Sequence, residues 1–286
     1  MWFLFASLTA LFESLKDAAS KRGLQALNEY VVAWSLTVFT LPLLLPVLLV
    51  TGVPELGPMF PWALLAGGST NVVAILLYIR ALKLTDLSIA VPLIAFTPLF
   101  LLVTSPLIVG EHPTASDAAG IAAIVVGSYV LNLKQRKRGI LAPLRALLQQ
   151  RGAQLMLLVA FIWSFSSTID KVGVRNSSPS FWAGANFSFI ATSMLPLVLV
   201  KSPQGIRPVL QYLPVLAPVG LLQGAAVLCQ MQAISLTLVA HVISVKRTST
   251  LLSVLWGHLL FRERGLLERA SGAAIMVGGV ALIALG

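Results

Sequence analysis

Apolar residues run through this chain in long stretches that short polar segments separate. Each stretch approaches the roughly 20 residues that a helix needs to cross a bilayer. The stretches cover residues 2–20, 31–50, 60–79, 87–109, 116–133, 153–171, 181–200, 213–233, 238–261 and 267–285. The pattern predicts an all-α integral membrane protein with ten transmembrane helices.

Composition supports the membrane interpretation. Of 286 residues, 57% are hydrophobic and only 10% are charged, whereas soluble domains carry about 25% charged residues. The net charge of +10 does not indicate a nucleic-acid partner, because the basic residues lie mainly in short loops between spans. Cys229 is the only cysteine, so we expect neither a disulfide framework nor a metal cluster, and we predict no cofactor.

The positions of the basic residues predict orientation, because Lys and Arg accumulate in cytoplasmic loops. If the segment 134–152 faces the cytoplasm, alternate loops place most basic loop residues on that side and only Lys171 and Arg175 outside. We therefore predict a basic cytoplasmic linker, outward-facing termini and insertion in the plasma (inner) membrane.

The second half of the chain repeats the first. At an offset of 152 residues the matching pairs include Gly68/Gly220, Ala81/Ala233, Leu84/Leu236, Glu111/Glu263, Gly120/Gly272 and Gly127/Gly279. Earlier in each half the offset is 150, with Ser14/Ser164, Lys21/Lys171, Phe39/Phe189 and Pro46/Pro196. Five spans are an odd number, so the second copy enters the membrane upside down. We predict inverted repeats at 1–133 and 153–286, with a substrate site near the midplane where they meet.

Two segments carry a family resemblance. YIRALKLTDLSIAVPLIAFTPLFLLVTSPLIVGEHPTASDAAGIAAIVVGSYVL resembles the second part of an EamA domain, and QMQAISLTLVAHVISVKRTSTLLSVLWGHLLFRERGLLERASGAAIMVGGVAL resembles its second copy. The chain is thus similar to ten-helix drug/metabolite transporters. The resemblance implies a carrier that exports or exchanges small organic molecules.

The ninth span contains the most informative charges. Lys246 and Arg247 lie well inside it, and a charge deep in a membrane span is costly and usually functional. On a continuous helix Lys246, Thr250 and Ser253 share one face with Gly257, which predicts a polar cavity wall for an anionic substrate group. The alternative is that the pair only neutralises a structural carboxylate or snorkels to the surface.

The repeat adds a contrast between the two copies. Lys246 and Arg247 correspond to Ile94 and Ala95, which lie between Pro92 and Pro98. We interpret one copy as adapted for charge and the other for backbone irregularity, which frees carbonyl groups to line a cavity.

Uncharged polar and aromatic residues extend the predicted binding site. Asn71 and Gln223 are repeat mates and could bracket a substrate, although inter-helix hydrogen bonding is the simpler alternative. Trp163 and Trp256 are candidate aromatic walls, and ordinary packing is the alternative for both.

Glu13 is the candidate coupling residue. The segment FESLKDAASK resembles the first helix of small multidrug resistance transporters, where a Glu binds protons and cationic drug alternately. The resemblance implies the same role for Glu13. Lys16 and Asp17 depart from that pattern, so a structural charge cluster is the alternative.

Other polar and small residues favour structural roles. Stripes at Ala119, Ala123 and Gly127 and at Ala270, Ala274 and Gly278 predict close packing of the fifth and tenth spans, or a homodimer contact. Asp170 and Lys171 are predicted near the outer surface. Glu111 and Glu263 are predicted to cap helices or to pair locally, and His241 and His258 to be structural.

Three classes of function compete: a secondary carrier, a membrane-embedded enzyme and a channel. A channel is disfavoured, because neither rings of acidic residues nor a filter sequence is visible. A secondary carrier with alternating access for an anionic or zwitterionic metabolite fits the basic pair. A proton-coupled exporter of cationic drugs fits Glu13, and a lipid-phosphate flippase fits the same basic pair. A membrane-embedded enzyme is disfavoured, because Asp and His do not occur at metal-ligand spacing. We predict no enzymatic activity. The expected partners are a small-molecule substrate, the bilayer and, if Glu13 couples transport, a proton.

Overall fold

The computed structural model describes residues 1–20, 28–84, 93–132, 149–202, 206–261 and 266–285. Every regular element within these ranges is an α-helix. In chain order the helices are α1 (Trp2–Ser20), α2 (Glu29–Val38), α3 (Leu41–Thr51), α4 (Phe60–Leu84), α5 (Thr97–Val109), α6 (Ala115–Asn132), α7 (Arg151–Arg175), α8 (Pro179–Lys201), α9 (Arg207–Gln211), α10 (Leu213–Leu236), α11 (Val239–Lys246), α12 (Ser249–Phe261) and α13 (Leu266–Leu285).

The helices coincide with the predicted apolar stretches, which confirms a helical membrane protein. Within the described residues, five segments are long and apolar enough to span a bilayer: Tyr30–Thr51, Phe60–Tyr78, α7, α8 and α10. The count of ten spans stays a prediction. The predicted linker lies outside the described residues up to residue 148, and Glu263 also lies outside them.

The chain forms two compact units, and each combines segments from both halves of the sequence. The first unit contains residues 1–72 and 169–237, and the second contains residues 73–168 and 238–286. Helices α4 and α7 contribute to both units, because the boundaries after residues 72 and 168 fall inside them, whereas the boundary after residue 237 lies between α10 and α11.

Reciprocal contacts in the first unit follow the sequence repeat. A Cβ added at Gly68 on α4 would meet the Phe189 ring of α8, and one added at Gly220 on α10 would meet Phe39. Gly68 is the mate of Gly220, and Phe39 is the mate of Phe189. The same glycine-on-phenylalanine contact is therefore made twice, once from each copy.

A buried polar network holds α7 to its neighbours in this unit. Lys171 donates hydrogen bonds to the backbone oxygens of Ile234 and Thr237, at 2.5 and 2.8 Å. Asp170 accepts from Trp182 Nε1 at 2.9 Å and from Asn186 Nδ2 at 3.3 Å. Both residues are buried within the unit, and their expected place near the outer surface of the membrane stays a prediction. Lys171 satisfies carbonyl groups at the C-terminal end of α10, where a cation is favourable.

Glycines bring α6 and α13 together in the second unit. An added Cβ would lie 2.8 Å from Gly279 O at Gly120, and 2.7 Å from Gly272 O at Gly127. The predicted close approach of the fifth and tenth spans is confirmed, and Gly127 lies in the contact, but three of the six predicted residues do not face it. A Cβ added at Gly278 would meet no atom of the described residues within 4 Å, and Ala119 and Ala274 are exposed. The contact stripe is displaced by one residue on α13 because Gly272 and Gly279, seven residues apart, lie on the face toward α6. The alternative of a homodimer contact stays a prediction.

Candidate functional site

The ninth span is interrupted where the basic pair lies. Helix α11 ends at Lys246, α12 begins at Ser249, and Arg247 and Thr248 form the turn between them. The backbone N–H of Thr248 donates to Val245 O at 2.9 Å, and that of Leu251 donates to Thr248 O at 2.9 Å. Both bonds span three residues, as in a 3₁₀-helix, so the break is a tightened turn. Such turns inside a helix often mark hinges.

The fourth span contains the same break at the matching residues. Phe96 N–H donates to Leu93 O at 3.2 Å, and Leu99 N–H donates to Phe96 O at 3.0 Å. Adding the repeat offset of 152 to the numbers of Phe96, Leu93 and Leu99 gives Thr248, Val245 and Leu251. Two hydrogen bonds of the turn are thus reproduced in both copies of the repeat.

This symmetry corrects two sequence expectations. Backbone irregularity is not confined to the first copy, because the second copy breaks as well, without a proline. Lys246, Thr250 and Ser253 do not lie on one continuous helix, because the turn at Arg247 and Thr248 separates Lys246 from the other two. In the second copy, therefore, the basic pair lies at the helix break itself.

Arg247 joins the two breaks. Its Nη2 donates to Thr97 Oγ1 at 2.9 Å, and Thr97 is the first residue of α5. The Thr97 hydroxyl donates in turn to Ile94 O at 2.8 Å, across the break in the fourth span. A guanidinium from one copy of the repeat therefore lies against the turn of the other copy. Lys246 is partly buried at the end of α11.

The predicted hydroxyl groups lie on the first turns of α12. Thr250 donates to Arg247 O, and Thr248 donates to Val245 O at 2.7 Å, so these hydroxyls satisfy carbonyls at the turn. Ser253 Oγ is buried and has no hydrogen-bond partner among the described residues. Ser253 is therefore the hydroxyl of the predicted set that is free to bind another group.

The two predicted tryptophans belong to the second unit. Trp163 on α7 packs against Tyr78 on α4, with ring centroids 5.4 Å apart. Trp256 lies on α12 and is partly buried. The Trp163–Tyr78 pair fits the packing alternative as well as an aromatic wall.

The remaining predicted residues lie in the first unit. Glu13 on α1 is buried and pairs with Lys16. Lys16 Nζ also donates to Gln223 Oε1 on α10 at 2.7 Å. The structure thus joins Glu13 and Gln223 through Lys16. Asn71 is partly buried on α4, one residue before the boundary of the first unit at Val72.

Sequence reasoning missed Thr97 and the partners of Glu111. Thr97 could have been found as the repeat mate of Ser249, the first residue of α12. The cap predicted for Glu111 is confirmed, but its partner is remote in sequence: Val239 N–H, at the start of α11, donates to Glu111 Oε2 at 2.8 Å. No local pattern reveals such a contact.

Comparison with known proteins agrees with this architecture. The model of the EamA-like transporter family matches residues 1–133 and 150–285. A solved structure described only as "Crystal structure of protein" superposes with a TM-score of 0.77 at 19% sequence identity. The match covers 99% of this chain and 96% of that one, and it shows a shared fold. No curated protein matches the chain.

The family match covers most of both halves of the chain. Together with the apolar helices, it identifies a multi-pass integral membrane protein. The chain belongs to the EamA-like transporter family, within the drug/metabolite transporter superfamily.

Proposed function

We propose that this transporter is a secondary carrier that binds an anionic or zwitterionic small organic molecule at the two helix breaks of the second unit. One observation carries the proposal: Arg247, at the break in the ninth span, donates to Thr97, at the break in the fourth. A cation therefore stands where a span from each repeat is interrupted. Discontinuous helices of repeat transporters form their substrate sites in this way.

The electrostatics at this place favour a negative group. Helices α5 and α12 both begin at the breaks, and a helix N-terminus carries partial positive charge. Lys246 and Arg247 add two formal charges next to the start of α12. Carboxylate and phosphate groups bind well at such termini, and Ser253 Oγ supplies an additional hydroxyl.

The tightened turns supply a means of movement. A 3₁₀ turn between two α-helical segments is a position at which backbone angles can change while both segments stay rigid. We propose that alternating access uses these turns as hinges. In one of the two access states, the anionic group of the substrate bridges Arg247 and Thr97.

The test is transport by the full-length chain in proteoliposomes. Labelled citrate, L-glutamate, inorganic phosphate and a cationic dye are compared for saturable counterflow. Lys246→Gln and Arg247→Gln should reduce anion counterflow, whereas Lys201→Gln, which removes an exposed charge at the end of α8, should not. Counterflow of an anion at the wild-type rate in both site variants would remove the basic pair from the mechanism. A parallel assay measures movement of a lipid with a phosphate headgroup between the two leaflets. Movement of the lipid would indicate a flippase, and counterflow of soluble anions alone would indicate a carrier.

A proton-coupled cation exporter is the second candidate. Glu13 is buried and pairs with Lys16, so a proton or a cationic drug would compete with Lys16 for its carboxylate. Glu13→Gln should abolish transport of the cationic dye if this candidate is correct. Dye transport that persists in Glu13→Gln would contradict the coupling role.

Orientation is proposed from the basic residues, with the linker on the cytoplasmic side of the plasma membrane. Cys229 is the only cysteine, so Cys229→Ser supplies a cysteine-free background. A cysteine introduced in segment 134–152 should be protected from an impermeant maleimide in intact cells. Labelling from outside would reverse the topology.

A further inference from the structure

A buried carboxylate links the end of α5 to the start of α11. Helix α5 ends at Val109, and Gly110 has φ 69°, a left-handed conformation that turns the chain back at a helix end. Glu111 follows this turn and is buried, and its Oε2 accepts from Ser105 Oγ on α5 at 2.8 Å. The same oxygen accepts from the N–H of Val239, the first residue of α11, at 2.8 Å. Glu111 therefore bonds to both helices.

Arg247 makes the corresponding link at the opposite ends of the same two helices. It follows α11 and donates to Thr97, the first residue of α5, at 2.9 Å. The start of α5 thus lies at the end of α11, and the start of α11 lies at the end of α5. The two helices are antiparallel, one comes from each copy of the repeat, and each end of the pair has a hydrogen bond between the copies.

The two links agree in register. Thr97 and Ser105 are eight residues apart along α5, and Val239 and Arg247 are eight residues apart along α11. Eight residues of α-helix extend about 12 Å. The links are therefore separated by the same length of chain on both helices, as an antiparallel pair in continuous contact requires.

Apolar side chains occupy the middle of the pair. Leu101 lies four residues from Thr97 and four from Ser105, so its side chain shares their face of α5. Ile243 lies midway along α11, and both Leu101 and Ile243 are buried. Helix α5 packs against α11. Bonded at both ends and packed between them, the two helices form what we call the α5–α11 pair, and close packing of this kind resists sliding.

Both helix breaks lie at the same end of the α5–α11 pair. The break in the fourth span precedes Thr97, and the break in the ninth span follows Lys246. Two tightened turns therefore join the pair to the remainder of both spans. Glu111 lies at the opposite end of α11, which has eight residues. The pair can change its angle at the two turns while its internal contacts are kept.

We propose that Glu111 is a positioning residue for the basic pair. By linking α5 to α11, it makes the two helices one body that turns at the breaks, and it fixes where α11 presents Lys246 and Arg247. Loss of the link lets α11 shift against α5 and displaces both cations. The effect on anion binding rests on the function proposed above, whereas the joint movement of α5 and α11 does not.

The joint body is tested without any substrate, by hydrogen exchange of the full-length protein in nanodiscs. Exchange of residues 239–247 is followed at single-residue resolution in wild type, Glu111→Ala and Glu55→Ala. Glu111→Ala should exchange about fivefold faster, since a lost helix cap shifts a local opening equilibrium by about that factor. The acceleration should reach the amides of Lys246 and Arg247, because the whole helix is released. Glu55 is exposed in the loop between α3 and α4, so Glu55→Ala should exchange as wild type.

The position of the acceleration decides the outcome. Acceleration confined to the first turn of α11, with wild-type exchange at Lys246 and Arg247, would reduce Glu111 to a local cap and overturn the proposal. Glu111→Asp is the second variant and serves if Glu111→Ala fails to fold, because it keeps the carboxylate and shortens its reach by one methylene group. It should show the same spread along α11 with a smaller acceleration, and acceleration at the first turn alone would again overturn the proposal.

A transport measurement separates positioning from folding. Counterflow of labelled citrate, L-glutamate and inorganic phosphate is measured in proteoliposomes over a range of concentrations. For a transported anion, Glu111→Ala should raise the half-saturating concentration about fivefold, because the cations that bind it are displaced. Glu111→Gln should restore that concentration, because its amide oxygen accepts from Val239 N–H. A structural role alone would lower the amount of folded protein and leave the half-saturating concentration unchanged, and this result would overturn the positioning role.

The two proposals fail separately. Absence of saturable counterflow of any anion in wild type, together with accelerated exchange along all of α11 in Glu111→Ala, would refute the proposed function alone. Anion counterflow that requires Arg247, together with acceleration at the first turn of α11 only, would refute the role of Glu111 alone.

Discussion

Two adjacent glycines on α13 offer a direct test of how the second unit packs. Gly279 faces α6, where an added Cβ would lie 2.6 Å from Gly120 O and 2.9 Å from Ile124 N. Gly278 is its neighbour, and a Cβ there would meet no atom within 4 Å in the part of the chain that the structure describes. Alanine at the two positions therefore makes the same chemical change in the same helix, with and without a backbone collision.

The magnitude follows from two opposing terms. Replacing Gly by Ala inside a helix stabilises it by about 1 kcal/mol, and this gain applies at both positions. At Gly279 the new methyl group meets backbone atoms of α6, which cannot move aside as a side-chain tip can, so the helices must separate. Overpacking of this kind costs about 1–3 kcal/mol. We expect Gly279→Ala to lower the free energy of unfolding by about 2 kcal/mol relative to Gly278→Ala.

The assay is unfolding of both variants in the same detergent, by thermal or denaturant titration, with wild type as reference. Gly278→Ala should be as stable as wild type or slightly more stable. Gly279→Ala should be the least stable of the three. Equal stability of the two variants would refute the close approach of α6 and α13, and lower stability of Gly278→Ala would indicate that the outer face of α13 is the packed one.

Three further substitutions have defined outcomes. Glu111→Ala should lower the free energy of unfolding by about 1 kcal/mol, the usual cost of a lost helix cap. Glu111→Gln keeps an acceptor for Val239 N–H and should lower it less. Equal losses in the two variants would contradict the cap. Lys171→Met should cost about 1–3 kcal/mol, because it leaves Ile234 O without its donor in a buried place, and rescue by Lys171→Arg would show that a donor is required. Thr97→Val should weaken anion counterflow without changing protein yield, since the isosteric side chain cannot accept from Arg247, and wild-type counterflow would exclude a role for that bond.

The sequence repeat made the two helix breaks partly predictable. The offset of 152 pairs Ile94 and Ala95 with Lys246 and Arg247, and the structure places the two helix breaks at corresponding residues. Pro98 near the first break is a local signal that sequence reasoning can use. The second break has no proline, and its turn is stabilised by the hydroxyls of Thr248 and Thr250. Threonine is too common in helices to predict such a turn.

Tertiary contacts explain what sequence patterns did not predict. The spacing of small residues predicted that α6 and α13 pack closely, but glycines and alanines occur on several faces of α13. Only the structure selects Gly279 over Gly278. The topology predicts Lys171 near the outer surface of the membrane but does not indicate what it binds. Its acceptors, the carbonyls of Ile234 and Thr237, lie 63 and 66 residues away in sequence, so no local pattern could reveal them.

The most direct test of the proposed anion site is the affinity of the purified full-length protein for the anion that shows saturable counterflow. Affinity is compared in wild type, Arg247→Gln and Lys201→Gln. A hydrogen bond to a charged group contributes about 1.5–3 kcal/mol, and about 1.4 kcal/mol corresponds to a tenfold change in affinity. We therefore predict at least about a tenfold loss in Arg247→Gln and no loss in Lys201→Gln. Equal affinity in all three proteins would contradict an anion site at the two helix breaks.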